Sequence, residues 1–343
     1  ADKDFISEGY FGLIRNFRRF SWLLLYLFGP SPVLDNSFLK GKESPLDKKD
    51  DDSAYLPFAT SLRMSGLGYQ NNAQEDLFVC FNSLPTYRKT LQEAMKLSVA
   101  EYENIGIEEG GQFKQLNSKL LQIENEYYSD IRPKRNSKNG EKPLTALNEH
   151  GVEYIEVRCL DLNPFAPLGI DEEQIHFMDL FLSYCLFRPS AKLDKNECQE
   201  VSDNQKSVVL EGRKPGLNLN QKGQSISLKD WANELFDDMT QLAKQLDQKK
   251  GALHYSQALE TMKLSIEKPE LTPSARMLAQ MDEKNISFRE FALQQAHDLS
   301  DSFKVSIDGT TQSDWLHVAQ KSLEDQKDIE TNDSVPFYQF LLE

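Results

Sequence analysis

The sequence predicts an α+β protein in which a helical layer over the last third covers a mixed sheet, and three observations carry this. The stretch Gly151 to Phe165 alternates with the period of two that marks a strand. From Ser227 onward apolar residues recur at helical spacing behind a series of N-terminal capping signals. The chain of 343 residues is 39% hydrophobic and 27% charged, the composition of a globular protein with room for one large domain or two ordinary ones.

The elements follow in order. Tyr10, Leu13, Ile14 and Phe17 share a face of a first, amphipathic helix, with Arg15, Arg18 and Arg19 mostly off it, and Gly29-Pro30 ends it. The apolar run Trp22 to Phe28 is far too short to span a bilayer, and no small-residue cleavage site follows it. Lys40 to Ser53 reads as a charged loop, Thr86 to Ile105 as a helix containing Leu91, Met95 and Leu97, and Gly110-Gly111 as a turn. Leu120 to Tyr128 fits a strand, with Gln122, Glu124, Glu126 and Tyr128 on one face, and fits a helix nearly as well. The basic stretch Arg132-Pro-Lys-Arg135 and a loop from Asn136 to Lys142 precede the alternating stretch.

After that stretch the character is helical. Asp171 to Phe187 carries Ile175, Met178, Leu180 and Leu182. Ser227 with Asp230 opens a helix whose stripe is Leu228, Trp231, Leu235, Met239, Leu242 and Leu246, a core pattern. Thr272-Pro273 starts another, and Ser287 with Glu290 the next. There is no internal repeat or low-complexity tract.

Charge and motifs narrow the function. A balance of 39 basic to 54 acidic residues, net −15, argues against nucleic acid or an anionic membrane as the main partner. Cys80, Cys159, Cys185 and Cys198 have no metal-ligand spacing and read as reduced thiols of a cytoplasmic protein, packed in the core. No phosphate-binding glycine loop, dinucleotide fingerprint or H-E-x-x-H pair occurs, and the five histidines are dispersed. A nucleotide would therefore be held by a sheet surface, metal ions and basic side chains.

The alternating stretch offers such a surface. Val152, Tyr154, Glu156, Arg158 and Leu160 share one side, so a carboxylate and a guanidinium stand about 7 Å apart along the backbone. This pair suits a divalent cation beside a phosphate. It equally suits a salt bridge on a solvated sheet face.

Taken together, several blocks carry a family resemblance. Tyr154-Ile-Glu-Val-Arg158 with Asp161-Leu-Asn-Pro-Phe165 resembles the signature of proteobacterial glutamate–cysteine ligases (γ-glutamylcysteine synthetases). Gly9-Tyr10-Phe11 with Arg15-Asn16, Tyr26-Leu-Phe-Gly29 and Leu56-Pro-Phe-Ala-Thr-Ser-Leu-Arg-Met-Ser-Gly-Leu-Gly-Tyr69 are similar to the same family, as are Leu121 to Glu126, Ile131 to Arg135 and Leu210 to Leu217. The blocks run in order from Gly9 to about Leu217, with a weaker helical continuation.

The resemblance implies a glutamine-synthetase-like antiparallel sheet, incomplete here, with a helical C-terminal layer. Residues 1–217 would belong to the catalytic ligase domain and 218–343 to a helical continuation packing on it. The implied reaction is ATP-dependent ligation of the γ-carboxyl of L-glutamate to the amine of L-cysteine through a γ-glutamyl phosphate, the first step of glutathione synthesis. Glu156 would be a ligand of the active-site Mg2+ (or Mn2+), and Arg158 would face the transferred phosphoryl group. Arg63, Tyr69 and Tyr128 would bind the amino-acid substrates. Arg132 and Lys134, with Arg158, are suited to the phosphates of ATP.

The chain departs from the family at its front. It opens Ala1-Asp-Lys-Asp-Phe5 without methionine, as the interior of a longer protein does. The N-terminal part that supplies most metal-binding carboxylates of the family is absent, so Glu156 is expected to need it as a partner, and the isolated chain to hold half an active site. A related ligase using another amine, and a non-catalytic remnant or partner subunit of such a ligase, are the alternatives.

Overall fold

In a computed structural model of the chain, the described residues are 2–39, 44–68, 77, 79–138, 140–304 and 309–342. The architecture is α+β, built on one central helix. Helix α1 (Lys3–Leu27) is capped by the side chain of Asp2, which accepts from the Asp4 backbone amide. From Leu13 onward nearly every residue of α1 is buried. A helix buried on nearly all sides is surrounded by other elements, and α1 from Leu13 onward is.

The expectation that its arginines lie off the apolar face is corrected. Arg15 is 4% exposed, and the cost of burying it is met by Glu8 at 2.8 Å, the Asn82 carbonyl at 2.7 Å and Ser190 at 3.2 Å. Arg18 pairs with Asp130 at 3.0 Å and Arg19 with Glu197 at 2.6 Å. Asn16 donates to the Cys185 and Arg188 carbonyls, both at 2.9 Å.

Strands β1 (Val33–Asp35), β2 (Asp47–Lys48) and β3 (Ser53–Tyr55) form an antiparallel sheet in the order β1-β3-β2. The charged Lys40 to Ser53 segment therefore includes a paired strand; its residues 40–43 lie outside the described ones. The single helix expected from Thr86 to Ile105 is two: α2 (Leu84–Ala94), with a Ser83–Thr86 capping box, and α3 (Ala100–Ile105). The break arises because Leu97 and Val99 leave the helix to pair with Leu120 (2.8 Å) and Ser118 (3.0 Å), which leaves the Leu97 side chain exposed.

Gly110 and Gly111, both at positive φ, turn β4 (Glu108–Glu109) into β5 (Gln112–Phe113), as the sequence predicts. Leu120 to Tyr128 is neither strand nor α-helix. Its polar side chains bond locally: Gln122 N donates to Glu126 at 2.5 Å, and Glu124 reaches the Leu144 amide at 2.7 Å, capping a neighbouring helix. The strand comes later, as β6 (Ile131–Lys134).

Helix α4 (Pro143–His150) ends at Gly151, whose φ of +77° turns the chain into β7 (Tyr154–Val157). Then follow α5 (Glu172–Phe187), α6 (Lys195–Glu211), the hairpin β8 (Asn218–Gln221) and β9 (Gln224–Ser227), α7 (Leu228–Lys250) and α8 (His254–Glu267). The chain closes with α9 (Pro273–Lys284), α10 (Phe288–Ser302), α11 (Gly309–Asn332) and α12 (Phe337–Leu342). The capping residues Asp171, Ser227, Thr272 and Ser287 each accept an amide of the first turn that follows.

The late helices do not cover a mixed sheet. The ladders among the described residues are short and antiparallel, and α7 and α8 pack on α1 and α5 instead. Strands of two to four residues offer too little apolar surface, whereas α1 offers its whole circumference. Phe17, Trp22, Phe177, Phe181, Trp231 and Phe236 sit in this core. A second, small core of Val33, Met277, Leu278, Met281 and Phe291 joins β1 to α9 and α10. Helix α11 buries none of its side chains. Among the described residues no helix is long and apolar enough to cross a membrane.

Candidate active-site face on the β6–β7 ladder

Strands β6 and β7 pair antiparallel with Ile131 opposite Val157, Arg132 opposite Glu156, Pro133 opposite Ile155 and Lys134 opposite Tyr154. Partners directly opposite share a face. One face, with Ile131, Ile155 and Val157, joins the core. The other therefore gathers Arg132, Lys134, Tyr154 and Glu156. Arg158 extends the register by one step, donating its amide to the Asp130 carbonyl at 2.8 Å.

The carboxylate of Glu156 lies between two cations, with Lys134 Nζ 3.4 Å from Oε2 and Arg158 Nε 3.9 Å from Oε1. Oε2 is buried and accepts no hydrogen bond from a described residue; Lys134 attracts it by charge alone. An acceptor in that situation is suited to a cation ligand. The guanidinium of Arg158 stands 6.0 Å from the ring centre of Tyr128. Arg132 is 5% exposed and donates to the Asn125 carbonyl at 3.1 Å.

Arg63, in the 3-10 turn Leu62–Met64, donates through Nε to Asp161 and through Nη2 to the carbonyls of Arg158 (3.1 Å) and Leu160 (2.9 Å). These bonds lock the backbone that follows β7. Asp161 is 7% exposed and also accepts from Ser31 at 2.6 Å and Ser61 at 2.8 Å.

Asp130, at the start of β6, is a second such anchor. It receives Arg18 at 3.0 Å, Ser21 at 3.3 Å and Gln205 at 2.8 Å. Two buried carboxylates thus hold the same end of the ladder, where β6 begins and β7 ends.

Beneath this face the hydroxyl of Tyr127 is pushed up to about 12 by burial, against the opposing pull of Arg18. Burial likewise holds the Cys159 thiol above its ordinary range. Neither group is poised for proton transfer near neutral pH. The four cysteines are free thiols, with Cys159 and Cys185 buried.

Of the residues singled out from the sequence, Arg63, Tyr128, Arg132, Lys134, Glu156 and Arg158 come together here. Tyr69 lies outside the described residues. Asp130, Asp161, Ser31 and Ser61 were not singled out. Asp161 and Ser61 stand inside the quoted blocks, and buried-acceptor roles of this kind leave no periodic signal.

The fold is α+β, and one face of its β6–β7 ladder sets Arg132, Lys134 and Arg158 beside the carboxylate of Glu156. The family model of glutamate–cysteine ligases matches residues 1–208. The chain is 46% identical over 341 residues to a glutamate–cysteine ligase of Pseudomonas entomophila, covering 99% of this chain and 64% of that protein. A relative in Pseudomonas paraeruginosa is also 46% identical, with 99% and 65% covered. The solved structure of a Francisella tularensis glutamate–cysteine ligase in complex with AMP matches with a TM-score of 0.90 at 35% identity, over 98% of this chain and 66% of that one. The chain belongs to the glutamate–cysteine ligase family. It spans somewhat less than two thirds of the length of the curated relatives it matches.

Proposed function

We propose that this chain carries part of the active site of an ATP-dependent ligase that joins the γ-carboxyl of L-glutamate to the amine of L-cysteine, the first step of glutathione synthesis. The observation that supports this is the β6–β7 face, on which Arg132, Lys134 and Arg158 cluster about the single carboxylate of Glu156. Family membership and the AMP bound by the Francisella relative support a nucleotide as co-substrate.

A carboxylate is a poor electrophile at neutral pH. Transfer of the γ-phosphoryl group of ATP to a γ-carboxylate oxygen of glutamate supplies a leaving group and releases ADP. The amine of cysteine then attacks the acyl carbon, phosphate departs, and the amine proton is lost to solvent. Most of the catalysis rests on positioning and on neutralising oxyanions.

In this reading Arg132, Lys134 and Arg158 meet the phosphate oxygens, Arg158 facing the group in transfer. Tyr128 and Tyr69 line the cysteine pocket. Arg63 binds substrate with a guanidinium already held in one orientation by Asp161 and two carbonyls. Glu156 would hold Mg2+ (or Mn2+), consistent with its buried Oε2, which accepts no hydrogen bond from a described residue. The metal, when bound, neutralises charge on the phosphoryl oxygens.

Magnesium takes one or two protein carboxylates and keeps several waters. Further acidic ligands are expected from the part of the longer relatives that this chain does not span, which makes that part its partner. The helical segment 218–343 then packs on the catalytic portion 1–217, supported by the core that runs from Phe11 to Ile266 through both. The reaction is a cytoplasmic one.

The test is ADP release with ATP, Mg2+ and glutamate, with and without cysteine, by the chain alone and with the N-terminal part of a relative supplied. Cysteine-dependent release in the completed protein is the expected result. Release that follows another amine would replace the substrate, and no release from either form would overturn the reading.

A further inference from the structure

One cluster of metal-ligating side chains has no part in the function above. Glu172 and His176 lie four residues apart in α5 and so project from the same helix face. His254 is the first residue of α8, which packs against α5. One ligand atom from each of the three lies within 4.8 Å of the other two. Solvent reaches the group, since Glu172 and His254 are exposed and His176 is half-buried.

The two imidazoles stack, their centres 4.7 Å apart and their planes within 4° of parallel. The ring of Tyr255 meets His176 edge-on at 5.4 Å. The Tyr255 hydroxyl donates to Asp179 on α5 at 2.7 Å, and Asp247 caps α8 by accepting the amides of Tyr255 (2.9 Å) and Ser256 (3.1 Å). The backbone around the histidines is thereby fixed from both helices. Neither imidazole makes a hydrogen bond to a described residue, so their nitrogens remain open as donors to a metal.

Two imidazoles and a carboxylate form a donor set that suits zinc and its first-row neighbours, whereas magnesium prefers oxygen alone. We infer that Glu172, His176 and His254 bind a zinc-class divalent ion that links α5 to α8, at a site separate from the magnesium position proposed at Glu156. Tetrahedral zinc with bonds of about 2.0–2.1 Å sets its ligand atoms about 3.3 Å apart. The imidazole lone pairs lie in the ring planes, so rotation of these accessible side chains must unstack the two rings to aim both at one ion, and water fills the fourth position. The other cluster of this kind among the described residues, Glu141, Glu149 and His150, has a single imidazole and is the weaker candidate.

Zinc titration calorimetry and thermal unfolding of the full chain test this near neutral pH. The expected result is one zinc bound per chain, with a rise in Tm that EDTA reverses. His176→Ala and His254→Ala should each weaken zinc binding by at least about tenfold and abolish the rise, as removing a ligand does. Glu172→Gln, an exposed change, should weaken binding without altering helicity, which keeps the test valid if a histidine variant misfolds. Glu156→Gln and the joint Cys80→Ser, Cys198→Ser variant should bind zinc as the parent does. Absence of zinc binding at micromolar metal would overturn the inference. So would binding unchanged in the histidine variants, or binding lost with the cysteines.

Discussion

Asp161 and Arg63 form a half-buried ion pair that ties the 3-10 turn at Leu62 to the backbone leaving β7, just beyond Arg158. Asp161 also takes the hydroxyl protons of Ser31 and Ser61, so one carboxylate joins three segments of the chain. Its side chain is 5% exposed, against 32% for Arg63.

Removing the carboxylate takes an acceptor from a partly buried guanidinium, from the buried Ser61 hydroxyl and from the half-buried Ser31 hydroxyl. Asp161→Ala should therefore destabilise the chain by about 3 kcal/mol, as breaking a buried pair does. Urea unfolding measures this. A loss below about 1 kcal/mol, the size of an exposed pair, would contradict the account.

The small core under β1 gives a second prediction. Phe291 is 1% exposed and packs with Val33, Met277, Leu278 and Met281. Phe291→Ala should cost about 3–5 kcal/mol. Ser287→Ala, which removes the capping box of the same helix, should cost about 1 kcal/mol. Equal effects of the two, read from denaturant midpoints, would show that the small core contributes little.

Asp35 sets a pH dependence for the same corner. Hydrogen bonds from Ser37, and then the Arg289 guanidinium, lower its carboxyl from 3.8 to about 2. A depressed carboxyl pKa adds stability that is full above its unfolded value and is lost as pH falls through the folded one. Between about pH 4 and pH 2 the parent should lose stability that Asp35→Asn has already lost. Acid unfolding curves of the two should converge at the low end and separate at neutral pH. Parallel curves would remove Asp35 from this role.

Gly151 supplies a fourth test. Its φ is +77°, and an added Cβ would lie 2.7 Å from Ser7 Oγ. Gly151→Ala should destabilise by about 1–2 kcal/mol and displace the entry to β7. A neutral effect on Tm would show that the turn adapts.

The reach of the sequence can be judged from particular residues. The capped helices beginning at Ser227, Thr272 and Ser287 were legible because cap chemistry and periodicity are local. The pairing of Glu156 with Arg158 on one face was legible for the same reason. That Arg132 stands opposite Glu156 was not, since register depends on where β6 begins, and the segment before it resembles strand and helix equally. Nor could the burial of Arg15 be read from its helix, because its partners Asn82 and Ser190 lie far along the chain. The anchoring roles of Asp130 and Asp161 are likewise long-range.

In the function proposed above, the β6–β7 face serves phosphoryl transfer through Glu156 and Arg158. Turnover and Tm of Glu156→Gln in the completed enzyme test it most directly. The carboxylate is 38% exposed and its ion contacts are long, so the substitution should change stability by less than about 1 kcal/mol. Glutamate- and cysteine-dependent ADP release should nevertheless fall by about 100-fold or more. Turnover close to that of the parent, with folding intact, would place the chemistry elsewhere in the molecule.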